Sequence, residues 1–373
     1  MMPVMVPWLG EEEALAAADV VRSGWVAQGP RVAEFEERFA EYVGNTSAVA
    51  VSSCTTGLHL VLHAMGIGPG DEVVVPSLSF IATANAPRYV GATPVFADVD
   101  EVTQNLTADT IRAAATDRTA AAIVVHQVGM PADLDEVRKL CRERGIQIIE
   151  DAACAVGSVH RQDMIGAGPD PVVFSFHPRK ILTTGEGGMV VTADEELAAR
   201  LRTLRAHAMS VSAFDRHDRK ASDFEEYPEL GFNFRMTDIQ AAVGIVQLRK
   251  LDEMIERRRL LGDLYAEMLA DVRGVRVPTD PPFGRTNFQS YSVVLSSEFS
   301  LGRNELIEHL HAAGISTRRG VMAAHRETAY LDYPKAELPV TERLADSSII
   351  LPLYHGMTEA DIERVVIQIR GVA

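Results

Sequence analysis

From Ser47 to Thr192, short runs rich in Val, Ile and Ala alternate with longer amphipathic stretches, and no other feature restricts the possible folds as tightly. Ala48–Val51, Glu72–Val75, Pro94–Ala97, Ala121–Val125, Gln147–Glu150, Val172–Phe174 and Met189–Val191 read as buried strands, since a strand covered on both faces is apolar along its whole length. Thr55–Met65, Ile81–Tyr89, Thr107–Ala115 and Leu134–Arg144 lie between them with apolar residues at helical spacing. Strand and helix in alternation predict a mainly parallel seven-stranded sheet with flanking helices.

The flanks add to this frame. Glu11–Arg22 and Pro30–Val43 read as two helices, with Pro30 suited to a first turn. Asp238–Met268 reads as one or two long helices, with a break near Lys250. Pro278, Pro281 and Pro282 then mark a linker, followed by a strand at Ser290–Leu295 and a helix at Arg303–Ala313. A last helix, Glu359–Ile369, has Thr358 as its N-cap. At 373 residues the chain exceeds one ordinary core. A large domain, 1–255, and a smaller C-terminal α/β domain, 256–373, are predicted.

Composition excludes several classes. A net charge of -16 leaves no general positive field for a nucleic-acid backbone. The hydrophobic share of 47% and charged share of 24% are those of an ordinary globular protein. Met1–Gly10 lacks a basic stretch followed by an apolar one, and no apolar run approaches the roughly 18 residues that cross a membrane. A soluble cytoplasmic protein, with no membrane partner, is expected. Cys54, Cys141 and Cys154 are too few and too widely spaced for a disulfide framework or a zinc knuckle. No metal site is expected.

Lys180 follows the probable strand at Val172–Phe174 and precedes Thr183-Thr184-Gly185-Glu186-Gly187-Gly188. An amine there can form a Schiff base with an aldehyde while Ser175 and backbone N–H groups hold a phosphate, a pairing that points to pyridoxal 5′-phosphate. A solvated surface lysine has the same local sequence. Asp151 closes the apolar run Ile148–Glu150, and ligands of doubly wound sheets bind beyond the carboxyl ends of strands. At about 4 Å and an effective dielectric of ~20, a carboxylate there stabilises a protonated pyridine by roughly 4 kcal/mol. That is about three pKa units. The other reading of Asp151 is a helix N-cap. Ser52-Ser53-Cys54-Thr55-Thr56-Gly57 follows a strand and opens a helix, which makes an anion site or an ordinary cap. Phe80, at the end of Pro76-Ser77-Leu78-Ser79-Phe80, can cover a planar ring or serve as core.

These motifs, followed by Gly231-Phe232-Asn233-Phe234-Arg235-Met236-Thr237-Asp238, occur in an order that resembles the DegT/DnrJ/StrS family of sugar aminotransferases from about Pro7 to the C-terminus. The resemblance implies the type I aminotransferase fold of PLP-dependent transferases, and a homodimer with shared active sites. It implies Lys180 as the internal-aldimine lysine and proton relay, Asp151 as the pyridinium partner, and Phe80 as the residue stacked on the ring. Thr55, Thr56 and Ser175 match phosphate-binding positions. Asn233 matches a residue that reaches the phosphate from the other subunit. Cys154 stands where the family commonly has Gln or His near the ring hydroxyl, and Cys54 stands where Gly is common. Both cysteines also read as small buried apolar residues.

Transamination is the implied outcome, because relatives that dehydrate sugars carry His where this chain has Lys180. The implied reaction is ping-pong, from an amino acid donor such as L-glutamate to a keto-sugar acceptor, a nucleotide-linked 3- or 4-keto-sugar. The alternatives are a PLP-dependent lyase or dehydratase on the same fold, and a non-catalytic PLP-binding regulatory protein. On the acceptor side, Trp25, Tyr291, Arg318 and His325 are candidate substrate residues. Arg318 reads equally as a diphosphate partner and as solvated charge.

Overall fold

A computed structural model describes residues 1–210, 225–334 and 337–373. The alternating region forms the strands β1 (Ser47–Val51), β2 (Glu72–Pro76), β3 (Thr93–Ala97), β4 (Thr119–Val125) and β5 (Gln147–Asp151). A short hairpin, β6 (Val159–His160) and β7 (Asp163–Met164), precedes β8 (Val172–Ser175) and β9 (Gly188–Thr192). The central sheet has seven strands in the order β1-β9-β8-β5-β4-β2-β3. Only β9 runs antiparallel to its neighbours.

Both faces are covered, and period-two alternation decides which side chain goes where. Val49, Val51, Val73, Val75, Ile149 and Val173 pack against α3 (Cys54–Ala64), α4 (Ile81–Tyr89) and α7 (Glu195–Leu204). Their neighbours Ala48, Ala50, Val74, Ile148 and Phe174 face α2 (Pro30–Val43), α5 (Ala108–Ala114), α6 (Leu134–Arg144) and α8 (Asp238–Arg249). On that second face Phe39 meets Phe174 at 5.1 Å between ring centroids, and Phe35 meets Phe176 at 5.4 Å. The first helix, α1 (Glu11–Ser23), begins with three glutamates that suit the positive end of its dipole. α7 is an element that the sequence reading left unassigned.

After α8 the chain turns at Lys250 into α9 (Leu251–Leu269). Leu251 and Met254 of α9 belong to the sheet core, while Leu261, Tyr265 and Leu269 belong to a second core. Residue 255, the expected domain boundary, therefore lies inside one continuous helix. The second core forms around β10 (Val275–Arg276), β12 (Tyr291–Leu295), β13 (Arg318–Arg319) and β14 (Ser348–Leu351), an antiparallel sheet ordered β10-β12-β14-β13. α10 (Arg303–Ala312) and α12 (Glu359–Arg370) cover it, and α11 (Pro339–Ser347) leads into β14. A further strand, β11 (Gly284–Arg285), adds to β6 of the hairpin. Met2 also joins the second core, its N–H donating to the Gly314 carbonyl at 2.8 Å. No described helix is long and apolar enough to cross a membrane.

Candidate active site

Strand ends determine the site. β4, β5 and β8 are parallel neighbours, and the register sets Asp151 beside Val125 of β4 and Val173 of β8. Beyond these carboxyl ends opens a cleft of about 290 Å3. Glu150 and Asp151 are consecutive on one strand, so they face opposite ways. Glu150 enters the helix-covered core, where His126 Nε2 lies 3.0 Å from one oxygen and Arg138 Nη2 donates to the other at 2.9 Å. Asp151 is left for the cleft. It is 5% exposed, and Oδ2 accepts from the Thr83 hydroxyl at 2.8 Å while Oδ1 accepts from the Ala153 N–H at 3.1 Å. Two donors at different angles fix the plane of the carboxylate.

Lys180 enters from the turn after β8. The Phe-Ser-Phe alternation puts Phe174 and Phe176 into the aromatic core and Ser175 into the cleft. The Lys180 turn is held by its own N–H on the His177 carbonyl at 2.8 Å, and by Gln289, which accepts from the Ile181 N–H at 2.9 Å and donates to the Arg179 carbonyl at 2.7 Å. Gln289 is in turn held through its carbonyl by buried Arg258 at 2.7 Å. The Lys180 Nζ is 3.1 Å from Cys154 Sγ. Burial disfavours the Lys180 ammonium, but Cys154 Sγ beside Nζ and the Asp151 carboxylate outweigh it and hold its pKa above the usual value. Burial, reinforced by Asp151 and Cys154, pushes the Cys54 thiol well up, so it stays protonated.

The third wall is the start of α3. Ser53 caps the helix, accepting from the Thr56 N–H at 3.2 Å. Ser53, Cys54 and Thr55 line the cleft, so the unpaired N–H groups of a helix N-terminus face it, an arrangement suited to a phosphate. Gly188 of β9 passes directly beneath this turn. A Cβ there would meet Cys54 N and Ser53 C at 2.7 Å, so only glycine allows the approach.

The cleft thus gathers Thr55, Phe80, Asp151, Cys154, Ser175 and Lys180 of the sequence candidates. Phe80 is 68% exposed at its rim. Thr56 does not line the cleft: its hydroxyl donates to the Ser53 carbonyl at 2.8 Å and accepts from the Ser53 N–H at 3.0 Å, completing the cap. Asn233 is exposed and also lies outside the cleft of the single chain.

The acceptor-side candidates separate more widely. Tyr291 is fully buried and stacks on Tyr265 at 4.8 Å in the second core, which corrects its reading as a cleft residue. Its place on β12 gives an inward-facing aromatic, as any alternating strand does. His325 is corrected too. Its Nδ1 lies 2.6 Å from the Ser77 hydroxyl and its Nε2 3.2 Å from Glu342, so both ring nitrogens are engaged away from the cleft. Trp25 sits in the turn between α1 and α2 with its indole N–H directed at the Gln28 carbonyl at 3.4 Å, and is not a cleft residue. Arg318 lies in a neighbouring groove shared with Arg179, a residue that also lines the main cleft. Burial and the Arg179 guanidinium together hold the Arg318 pKa below its usual value.

Sequence reading missed Thr83, Ser79, Gln127, His177, Arg179 and Glu186 in the lining. Thr83 had a usable signal. It is four residues beyond Ser79 at the start of a helix that follows a strand end, and the two hydroxyls lie 2.8 Å apart. Gln127 gave none, because it enters from the 3₁₀ turn after β4 and donates to the Leu78 carbonyl.

Residues 7–370 match the DegT/DnrJ/EryC1/StrS aminotransferase family. The chain is 38% identical to the spore coat polysaccharide biosynthesis protein SpsC of Bacillus subtilis over 376 aligned positions, covering 100% of this chain and 97% of that protein. Its fold is similar to that of the aminotransferase TlmJ from Streptoalloteichus hindustanus, with TM-score 0.91, 38% identity, and 100% and 98% of the two chains covered. It is similar also to DesI, solved in the presence of its TDP-sugar product, with TM-score 0.88, 36% identity, and 99% and 92% covered.

Proposed function

The chain belongs to the DegT/DnrJ/EryC1/StrS aminotransferase family, and from that premise we propose that it transfers an amino group from an amino acid, L-glutamate, to a nucleotide-linked 3- or 4-keto-sugar in two half-reactions. The family's cofactor is pyridoxal 5′-phosphate. The observation that carries the reading is that Lys180, Asp151 and the α3 N-terminus face one cleft. Their chemistry fits that group: an amine, a deeply placed carboxylate for a cationic ring, and N–H and hydroxyl donors for a phosphate. Bound there, the cofactor supplies the carbonyl that carries the amino group and a ring that takes up the electron pair of the broken C–H bond.

The protein's residues do the rest. Asp151, oriented by Thr83 and Ala153, holds a positive charge on the ring nitrogen. The first turn of α3 and Ser175 bind the phosphate, and Phe80 closes the rim over the ring. Lys180 Nζ would take the proton from the substrate carbon and deliver it to the cofactor carbon that had carried the carbonyl oxygen, the work of a positioned general acid–base. Asn233 is assigned to the phosphate of a second copy, in keeping with its exposure outside the cleft of its own chain. Arg179 and Arg318 have no ion-pair partner among the described residues, and their mutual repulsion is relieved by an anion between them. A nucleotide diphosphate is that anion in this reading. The TDP-sugar product of DesI is a ligand of the corresponding class.

The test is to run the reaction backwards, offering PLP-loaded protein a panel of nucleotide-linked amino sugars with 2-oxoglutarate. Formation of glutamate with one of them supports the reading. Glutamate converted to 2-oxoglutarate in a single turnover, with no sugar accepted, would leave the transaminase and remove the sugar. Elimination products, or no spectral change with any donor, would favour the lyase or the regulatory protein.

A further inference from the structure

Among the described residues, one group of three side chains converges as metal ligands do, and it lies away from the cleft. It joins the start of α6 to the hairpin β6–β7. Asp133 is the N-cap of α6, where a carboxylate ordinarily accepts an N–H from the first turn. It makes no such bond. Its Oδ1 is buried and has no hydrogen-bond partner. Opposite stands His160 of β6, whose side chain is 8% exposed and whose Nε2 is likewise without a hydrogen-bond partner. The two atoms are 3.7 Å apart, too far for a hydrogen bond. Asp135 faces the same point, so that one ligand atom from each of the three residues lies within 4.8 Å of the others. Arg161 Nε occupies Oδ2 of Asp135 at 2.9 Å, which leaves the other oxygen for a cation.

Two buried polar atoms that face each other unpaired cost stability unless something between them satisfies both. We propose that Asp133, Asp135 and His160 bind one divalent transition-metal ion, Zn2+ or a first-row neighbour. An imidazole nitrogen with two carboxylates suits such ions and counts against Mg2+ and Ca2+, which take oxygen ligands. Zinc bonds of about 2.0–2.2 Å in a tetrahedron put ligand atoms about 3.3 Å apart. The 3.7 Å between Asp133 and His160 closes to that by small side-chain rotations. The two carboxylates balance the ion's charge, and their exposure, 31% for Asp133 and 52% for Asp135, leaves room for water to complete its coordination.

The ion is a clamp rather than a reagent. Asp133 follows the 3₁₀ turn Gln127–Gly129, and His160 follows the Asp151–Cys154 segment. Both segments line the cleft, and the Ser158 hydroxyl already ties them by donating to the Gly129 carbonyl at 2.7 Å. A metal behind this wall fixes the spacing of the two segments without touching the reacting atoms.

PLP-loaded protein, stripped of metals with a chelator, is titrated with Co2+ and followed by visible absorption, and with Zn2+ by equilibrium dialysis and thermal melting. The expected result is one high-affinity equivalent per chain, a cobalt d–d band, and a Tm raised by zinc. All three are lost in His160→Gln, and affinity falls roughly tenfold or more in Asp135→Asn. Should His160→Gln not fold, Asp135→Asn at its exposed position carries the test. Equal metal binding by the native protein and both variants overturns the proposal, as does a native protein that takes up neither ion.

Discussion

Asp151 and Thr83 form the residue pair on which the cleft's electrostatics turn, and separate substitutions distinguish their roles. Asp151→Asn removes the charge worth roughly 4 kcal/mol to a ring cation, so turnover falls about 10³-fold while the cofactor still binds. Thr83→Val removes only the hydroxyl that donates to Oδ2. A hydrogen bond to a charged group is worth about 1.5–3 kcal/mol, so kcat falls roughly 10- to 150-fold with KM for the amino donor little changed. Steady-state kinetics on both variants check this, and a Thr83→Val enzyme with native kcat would sink the orienting role. Lys180→Ala is expected to abolish both turnover and the absorbance of the covalently held cofactor. Tyr291 supplies a different kind of test. Its hydroxyl is buried without a hydrogen-bond partner, so Tyr291→Phe removes an unsatisfied group and leaves Tm equal or higher, with an unchanged KM for the sugar. A raised KM would return Tyr291 to the substrate site.

At the scale of elements, α3 both packs the sheet and presents the proposed anion site. Gly57 lets it sit close, since a Cβ there would meet Val173 Cγ1 at 2.6 Å. Its outer face carries His59, whose ring packs on Phe232 at 4.8 Å. Burial, with some repulsion from His63, holds the His59 pKa below its usual 6.5. Above that value neither folded nor unfolded chain is protonated there, and His59 adds no pH dependence. As pH falls below it, the unfolded chain takes the proton first, so stability drops until the lowered native value is reached. Denaturant midpoints compared at neutral and mildly acid pH should fall less for His59→Gln than for the native protein. An identical acid loss in both would assign it to other groups. The elements themselves were largely legible, because α4 and α6 carry apolar residues at helical spacing and the strands of the large sheet are short runs apolar along their length. Short pieces such as β6, β7, β10, β11 and β13 were not. Two residues carry no period, and such strands exist only because a partner strand lies beside them.

On the scale of the whole molecule, one chain leaves its cleft open at Phe80 and keeps Asn233 outside it. If a second copy completes the site, specific activity falls on dilution below the dimer dissociation constant, and Asn233→Ala weakens cofactor binding without altering the single-chain fold. Sedimentation and activity measured over one dilution series check this, and full activity from a monomer would remove the shared site.

The sequence by itself marked the sheet and every covering helix but α7, and set Lys180, Asp151 and the α3 turn at or just beyond strand ends, where ligands of such a sheet bind. Only the tertiary structure decided that Glu150 is structural while Asp151 meets the cleft, that Thr56 is spent on its own helix cap, and that Tyr291 and His325 are internal supports. It alone brought Asp133, Asp135 and His160 together. The physical reason is the same in each case. Periodicity records which face of an element a residue occupies, whereas the partner it meets there depends on elements distant in the chain, whose approach is set by packing.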